Sequence, residues 1–218
     1  EEFCKQILKM ERANETSEVV EENNAEILTQ SVLELNITEP FVDLLVTSPP
    51  YVTSYEYADI HQLSTLWLDY SPDYKHFRTG SIGSLYHSCD LRFNVPKLNQ
   101  SGLTVVMQMY SVDKKQAKAI AQYYVNMQEV VKKICNIVKK GGACLFVIGN
   151  TEYKNVKIDN ARHLAESLLN EGFYNVTIKR RKILNKILTP YRDKNGKFSS
   201  DKTSRKIYSE EFLIFAQL

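Results

Sequence analysis

Short apolar runs alternate with stretches of helical periodicity along this chain, and the alternation predicts an α/β fold. The runs Asp43–Thr47 and Ala143–Ile148 are rich in Val, Leu and Ile, which is typical of buried strands. Between them, apolar residues recur at three- and four-residue steps. This spacing predicts a helix over Ser111–Lys140, capped by Ser111 and ended by Gly141-Gly142. A second helix is predicted over Asn160–Glu171.

Two further strands are predicted at 173–181 and 207–216, after Gly172 ends the second helix. A β-α-β-α-β order favours a mostly parallel sheet with helices on its faces.

The other segments have weaker patterns. Residues 1–24 are acidic and predict a helical N-terminal segment, and Ala25–Thr29 predicts a short strand. Residues 56–69 predict a helix, in which His61 and Trp67 are interpreted as packing residues. Residues 70–110 mix aromatic, Gly, Ser and polar residues and are expected to be irregular. A loop of this length inside a compact domain is usually functional.

Length and composition indicate one globular domain. The chain has 218 residues, with 43% apolar and 25% charged side chains. No apolar run approaches the roughly 20 residues of a membrane helix, and Glu1-Glu2 replaces the basic start of a signal peptide. The four cysteines and four histidines are scattered, so neither a disulfide framework nor a metal site is expected. These features favour a cytoplasmic protein with reduced thiols.

The charge is unevenly distributed. Residues 1–60 carry 13 acidic and 3 basic side chains, whereas residues 61–218 carry 13 acidic and 25 basic ones. Eleven Lys or Arg residues lie within 179–206. Such a segment is either a surface that contacts phosphates or a solvated loop.

The segment Thr47–Tyr51 carries the most chemical information. Its sequence, Thr-Ser-Pro-Pro-Tyr, directly follows a predicted strand. Two prolines cannot continue a β-ladder, so the strand must end there. A hydroxyl, a rigid Pro-Pro corner and an aromatic ring are therefore expected at the carboxyl end of a strand, where ligands bind in open α/β sheets.

This segment resembles the catalytic motif of the amino-methyltransferases that modify exocyclic amines of DNA bases, written (Ser/Asn/Asp)-Pro-Pro-(Tyr/Phe/Trp). The resemblance implies that Ser48 Oγ and the Pro49 carbonyl accept hydrogen bonds from the target amine. It also implies that Pro50 adds rigidity and that Tyr51 stacks on a base flipped out of double-stranded DNA. Tyr55–Asp59 and His61–Leu68 are similar to the segment that follows this motif in bacterial site-specific DNA methyltransferases.

The resemblance further implies S-adenosylmethionine as methyl donor and a Rossmann-like methyltransferase fold, whose sheet has an antiparallel end suited to the two final strands. Cofactor contacts are expected from Thr47, Ser48, Gly149 and Asn150. Cytosine N4 is the favoured target because the Ser form of the motif is commonest among enzymes of that specificity. Adenine N6, an amine in RNA and a non-catalytic DNA-binding subunit are the alternatives, and a restriction-modification system is the expected setting.

One expected feature is missing. None of the eight glycines forms a Gly-x-Gly turn between a strand and a helix, which a site of this kind normally needs. Residues 25–218 are therefore interpreted as the catalytic half-domain of an incomplete fold. The Gly-rich cofactor half is expected in an upstream segment or a partner subunit.

Two segments are expected to contact DNA. One is the basic loop 186–205, which ends a stretch rich in Lys and Arg. The other is 70–110, a candidate target-recognition or lid insertion. The residues assigned to DNA are Arg78, Tyr191, Arg192, Lys194, Lys197 and Lys202.

Overall fold

The structure is a computed structural model that divides into two compact units, residues 1–31 and 32–218. It describes residues 2–15, 26–28, 30–37, 39–52, 56–73, 75–84, 86, 89–183, 191–193, 199–203, 205–206 and 210–218. The described part of the first unit contains one amphipathic helix, α1 (Glu2–Glu15), within the segment 1–24 that the sequence predicts as helical. Residues 16–24 lie outside the described residues.

All other described elements belong to the second unit. Its helices are α2 (Tyr57–Ile60), α3 (Gln62–Trp67), α4 (His76–Gly80), α5 (Leu91–Asn94), a 3₁₀ turn (Val95–Lys97), α6 (Gln100–Val112), α7 (Lys114–Ile137) and α8 (Asn160–Asn170). Its strands are β1 (Val42–Thr47), β2 (Val138–Ile148), β3 (Thr151–Tyr153), β4 (Val156–Ile158), β5 (Tyr174–Lys182), β6 (Tyr191–Arg192), β7 (Arg205–Lys206) and β8 (Glu210–Gln217).

The main sheet has four strands in the order β1-β2-β8-β5. β1 runs parallel to β2, whereas β8 is antiparallel to both β2 and β5. The α/β class and the antiparallel end of the sheet are thus confirmed. One of the three strand pairs in this described sheet is parallel, so the sheet is mixed rather than mostly parallel.

One face of the sheet forms the core. Cys144 and Phe146 of β2 and Ile214 of β8 are fully buried and belong to one cluster with apolar residues of α7 and α8. The other face is much less covered, because Leu44 and Val46 of β1 remain 60% and 61% exposed. The core therefore lies between the helices and one side of the sheet.

The long predicted helix corresponds to α7, and a separate helix, α6, precedes it. Asp113 has an extended backbone (φ −154°), and its Oδ1 accepts from the amides of Lys115 and Gln116, so α7 begins after Asp113. Ser111 lies inside α6 and does not cap α7. The prediction that 70–110 is irregular is wrong for most of α6 and for the shorter helices before it.

The end of that helix also differs from the prediction. α7 ends at Ile137 rather than at Lys140, because Val138 already pairs with Val42 of β1. Gly141-Gly142 lies within β2, where Gly141 takes a positive φ of 82° and its amide bonds to the Leu218 carbonyl. Pairing with β1 and with the end of the chain overrides the glycine signal.

Several weaker predictions are corrected as well. Residues 26–28 have no regular structure, and Ala25 and Thr29 lie outside the described residues. The helix predicted over 56–69 is interrupted at His61, giving α2 and α3. His61 is exposed and Trp67 is 87% exposed, so neither packs inside the unit.

The remaining predictions agree closely. α8 ends one residue earlier than predicted and is followed by Gly172 at φ +91°. β5 is confirmed within one residue, and β8 covers the described part of the last predicted strand. No described helix is long and apolar enough to cross a membrane.

Candidate active site

The site is built at the carboxyl ends of β1 and β2. The two strands are parallel, and Thr47 is paired with Phe146. The turn Ser48-Pro49-Pro50 and the turn Gly149-Asn150 therefore leave the same edge of the sheet. The structure thus brings together the predicted motif and the predicted cofactor contacts.

Ser48 has a defined orientation. Its Oγ donates a hydrogen bond to the Val147 carbonyl of β2, at 2.9 Å. A hydroxyl carries one donor and two acceptor lone pairs. Because the proton is engaged with the neighbouring strand, the exposed Ser48 Oγ presents acceptor lone pairs to a ligand.

The ring of Tyr51 lies against the end of β2. A Cβ built on Gly149 would be 3.4 Å from Tyr51 Cζ and 3.7 Å from its Oη. An alanine Cβ at 149 would make ordinary van der Waals contact with the ring, so the ring lies directly beside the Gly149 backbone. Val52, the next residue, is 1% exposed and anchors the segment in the core.

The Gly149-Asn150 turn is tied to the start of α8. Asn160 Nδ2 donates to the Gly149 carbonyl at 2.9 Å. Asn150 Nδ2 donates to Asp159 Oδ1, and Asn150 Oδ1 accepts from the Ala161 amide, both at 2.9 Å. Asn150 thus positions the turn through bonds within the protein, and its role towards a cofactor remains a prediction.

Two residues of other elements contact the Pro-Pro turn. Tyr123 of α7 donates its hydroxyl to the Pro50 carbonyl at 2.9 Å. Burial raises the pKa of Tyr123 well above its ordinary value, so this hydroxyl keeps its proton. Gly83, at φ +89°, places its backbone so that a Cβ would lie 3.5 Å from the Tyr51 carbonyl oxygen.

A carboxylate lies next to this turn. Glu56 Oε2 accepts from Ser84 Oγ at 2.8 Å, and Ser84 directly follows Gly83. Within the described ranges, Glu56 Oε1 is buried and has no hydrogen-bond partner; Thr151 Oγ1, just after Asn150, is in the same situation. Both atoms are therefore candidates for contact with a bound ligand.

Arg78, predicted to contact DNA, is held inside the protein. Its guanidinium pairs with Asp59 at 2.7–2.8 Å and lies 4.5 Å from the centre of the Tyr86 ring. Only 18% of its side chain is exposed. These contacts join α4 and Tyr86 to α2 and leave little of the cation for a phosphate.

The predicted basic loop is described in part. Tyr191 and Arg192 form β6, which pairs with β7 in a two-stranded ribbon. Tyr191 is half-buried, and Lys202 is exposed in the turn before β7. Lys194 and Lys197 lie outside the described residues, so their assignment to DNA remains a prediction.

The described residues contain only part of the predicted cofactor site. β1 ends in two prolines and β2 leads into the β3–β4 hairpin, so neither of these strand ends continues through a Gly-rich turn into a helix. Ser48 is exposed and Thr47 is half-buried at the end of β1. The described ranges contain no Gly-rich turn after these strands and no carboxylate placed after such a turn to bind a ribose.

The described part of the chain contains no cluster of three or more His, Cys, Asp or Glu side chains that could hold a metal ion.

Sequence reasoning missed Tyr123, Gly83, Asn160 and Glu56. Tyr123 and Asn160 are separated from the motif by more than 70 residues, and only the fold brings them close. Gly83 belongs to the Gly- and Ser-containing segment 70–110, whose composition does not indicate a contact with Tyr51. Two adjacent tyrosines on a helix are otherwise typical of an ordinary core.

Similarity to known proteins is found among solved structures. No protein-family model and no curated protein matches the sequence. Among solved structures, the chain is similar to TTHA0409 from Thermus thermophilus, a candidate DNA modification methylase, at 12% identity and a TM-score of 0.37, over 85% of this chain and 48% of that one. The S-adenosyl-L-methionine complex of the same protein matches at 14% identity and a TM-score of 0.35, over 85% and 51%.

The chain thus spans about half the length of that protein. Because these TM-scores lie below 0.5, the similarity does not by itself assign an activity to this chain.

Proposed function

We propose that this chain is the catalytic half of an S-adenosylmethionine-dependent DNA methyltransferase. Its target is an exocyclic amine of a flipped base, with cytosine N4 favoured over adenine N6. The observation that carries the proposal is the Ser48 hydroxyl, whose proton is directed to the Val147 carbonyl at 2.9 Å.

An aromatic amine needs hydrogen-bond acceptors. Its lone pair is delocalised into the ring, and acceptors on its protons favour a more tetrahedral and more nucleophilic nitrogen. Ser48 Oγ is suited to this task because its own proton is already engaged. The Pro49 carbonyl is the second acceptor, on a turn whose two prolines restrict its motion.

Tyr51 supplies the stacking surface. Its ring is placed beside both strand ends by contact with Gly149. A base that stacks on this ring would bring its amine towards Ser48. S-adenosylmethionine would supply the methyl group, and Thr47, Ser48 and Gly149 would form part of its wall.

A second polypeptide segment would complete the cofactor site. β1 is an edge strand of the described sheet, and its Leu44 and Val46 are largely exposed. Long apolar edges are unfavourable unless covered. A strand followed by a Gly-rich turn, from the same polypeptide or a partner subunit, would cover this edge and bring the missing ribose and adenosine contacts.

DNA would bind through the basic loop. The segment 186–205 contains Arg192, Lys194, Lys197 and Lys202, and Tyr191 lies at its base. Lysine and arginine bind phosphates without regard to sequence. Arg78 is a weaker candidate because it is paired with Asp59.

A non-catalytic DNA-binding subunit is the second candidate. The absence of a Gly-rich turn after β1 and β2 in the described ranges favours it. The oriented Ser48 favours catalysis, because a binding subunit has no need of an amine acceptor.

Ser48→Ala tests the proposal. In the enzyme that turns over, kcat should fall roughly ten- to hundredfold with little change in KM, because a hydrogen bond to a group that gains charge is worth about 1.5–3 kcal/mol. Ser111→Ala is the matched control, since Ser111 Oγ is also exposed and donates to a backbone carbonyl, at 2.7 Å. A change confined to KM, or an equal effect of both substitutions, would rule out the acceptor role.

A further inference from the structure

Two adjacent tyrosines lie at the centre of α7, and both are buried. Tyr123 is 2% exposed and Tyr124 is fully buried. Successive residues of a helix point about 100° apart, so the two hydroxyls reach different neighbours. Each of them leads to one of the two turns of the candidate active site.

Tyr123 acts on the Pro-Pro turn. Proline fixes φ near about −65°, so ψ is the main torsion left to Pro50. The bond from Tyr123 Oη to the Pro50 carbonyl fixes the direction of that carbonyl, and with it ψ. Because the peptide unit is planar, the Tyr51 amide that follows is fixed as well.

Gly83 lies beside both Tyr123 and Pro50. A Cβ on Gly83 would lie 3.6 Å from Tyr123 Cδ2 and 3.9 Å from Pro50 Cβ. Because Tyr123 is 2% exposed, its phenol ring is enclosed by the protein where its hydroxyl meets the Pro50 carbonyl.

Tyr124 leads to the other turn. Its hydroxyl bonds to Asn160 Oδ1 at 3.3 Å, and Asn160 Nδ2 donates to the Gly149 carbonyl at 2.9 Å. Gly149 is the residue that supports the ring of Tyr51. One turn of α7 is thus linked to both strand ends.

We propose that Tyr123 is a positioning residue, which sets the geometry of the Ser48–Tyr51 turn through the Pro50 carbonyl. This inference rests on the proposed function for its kinetic consequence, but the contact itself can be tested without turnover. Tyr123 touches neither base nor methyl donor in this account, and it acts through Pro50.

The test uses the full chain labelled with ¹³C-carbonyl proline and ¹⁵N-tyrosine. Only two Pro–Tyr peptide bonds occur in the sequence, Pro50–Tyr51 and Pro190–Tyr191, so the spectrum has two cross-peaks. In Tyr123→Phe the Pro50–Tyr51 peak should move, because its carbonyl loses a hydrogen bond, while the other peak stays fixed. Tyr153→Phe is the control: it removes a tyrosine bond to Asp113, at 3.2 Å, and should move neither peak.

If Tyr123→Phe does not fold, 3-fluorotyrosine at 123 replaces it, since a more acidic phenol is a stronger donor. The Pro50–Tyr51 peak should then move in the opposite direction. A fixed Pro50–Tyr51 peak in the folded variant would overturn the proposal.

Kinetics provide the second readout. A displaced reacting geometry lowers kcat, and we expect a loss of about tenfold in Tyr123→Phe with KM changed less than about twofold. An unchanged kcat would overturn the positioning role. If the peak moves but the wild-type enzyme methylates no DNA, the proposed function fails and the positioning contact stands.

Discussion

At the scale of single residues, the candidate site depends on where a few polar atoms point. The Ser48 hydroxyl donates a hydrogen bond to the Val147 carbonyl, and the Pro50 carbonyl accepts one from the Tyr123 hydroxyl. The first bond leaves the acceptor lone pairs of the exposed Ser48 Oγ available, and the second holds the turn that follows. The motif therefore functions in this account as a rigid frame, with Tyr51 as its one aromatic surface.

Tyr51 should contribute through its ring rather than its hydroxyl. Loss of one aromatic–base stack costs roughly 1–3 kcal/mol, so Tyr51→Ala should lower kcat/KM about five- to hundredfold. Tyr51→Phe keeps the ring beside Gly149 and should stay close to wild type. Methylation rates of the two variants on one DNA duplex provide the measurement, and equal rates would exclude stacking.

At the scale of elements, the sequence was most informative where the local signal and the tertiary environment agree. β1 ends where two prolines stop it, and α8 ends before Gly172. The predicted helix start at Ser111 is wrong because Ser111 and Asp113 are both good caps, and Asp113 is the one that caps α7. The pairing of Val138 with Val42, which ends α7 early, has no local signal at all.

The packing of α8 on α7 should make stability depend on pH. His163 of α8 is 1% exposed and stacks on Tyr124 with ring centres 3.9 Å apart. Burial lowers the pKa of His163 from its ordinary 6.5 to about 3. The unfolded chain therefore binds a proton that the folded chain does not, and stability present above pH 6.5 is lost as the pH falls towards 3.

His163→Gln removes this titration. Between about pH 7 and pH 4.5, the free energy of unfolding should fall less in the variant than in wild type. The difference between the two decreases should be at most about 3 kcal/mol. Urea unfolding of both proteins at the two pH values measures the difference. If the free energies of unfolding of the two proteins fall in parallel, His163 is protonated at pH 4.5 in the folded state as it is in the unfolded state, which contradicts the prediction.

At the scale of the whole molecule, charge is unevenly distributed along the sequence. The acidic residues concentrate in the first 60 positions, and eleven basic ones lie within 179–206. The exposed apolar residues of β1 lie at an edge of the sheet. Composition revealed the charge, whereas the uncovered sheet face emerged only from the strand order.

Replacing Lys194, Lys197 and Lys202 with Gln should weaken binding to all DNA sequences alike. If each lysine contacts one phosphate, the slope of log K against log salt should become shallower by about 2 to 3, because fewer counterions are released. Lys115, Lys118 and Lys132 are exposed on α7 and provide a control with the same charge change. Equal slopes in the two triple variants would reject the phosphate assignment.

The central claim is that Ser48 serves methyl transfer to an amine in DNA. The most direct test expresses the chain, together with any coding sequence that adjoins it, in a host whose own DNA methylases are deleted. Mass spectrometry of the hydrolysed DNA should then detect N4-methyl-2′-deoxycytidine, or its N6-methyladenine counterpart, with wild type and not with Ser48→Ala. Methylation on a ring carbon, no methylated nucleoside at all, or equal product from both proteins would contradict the account.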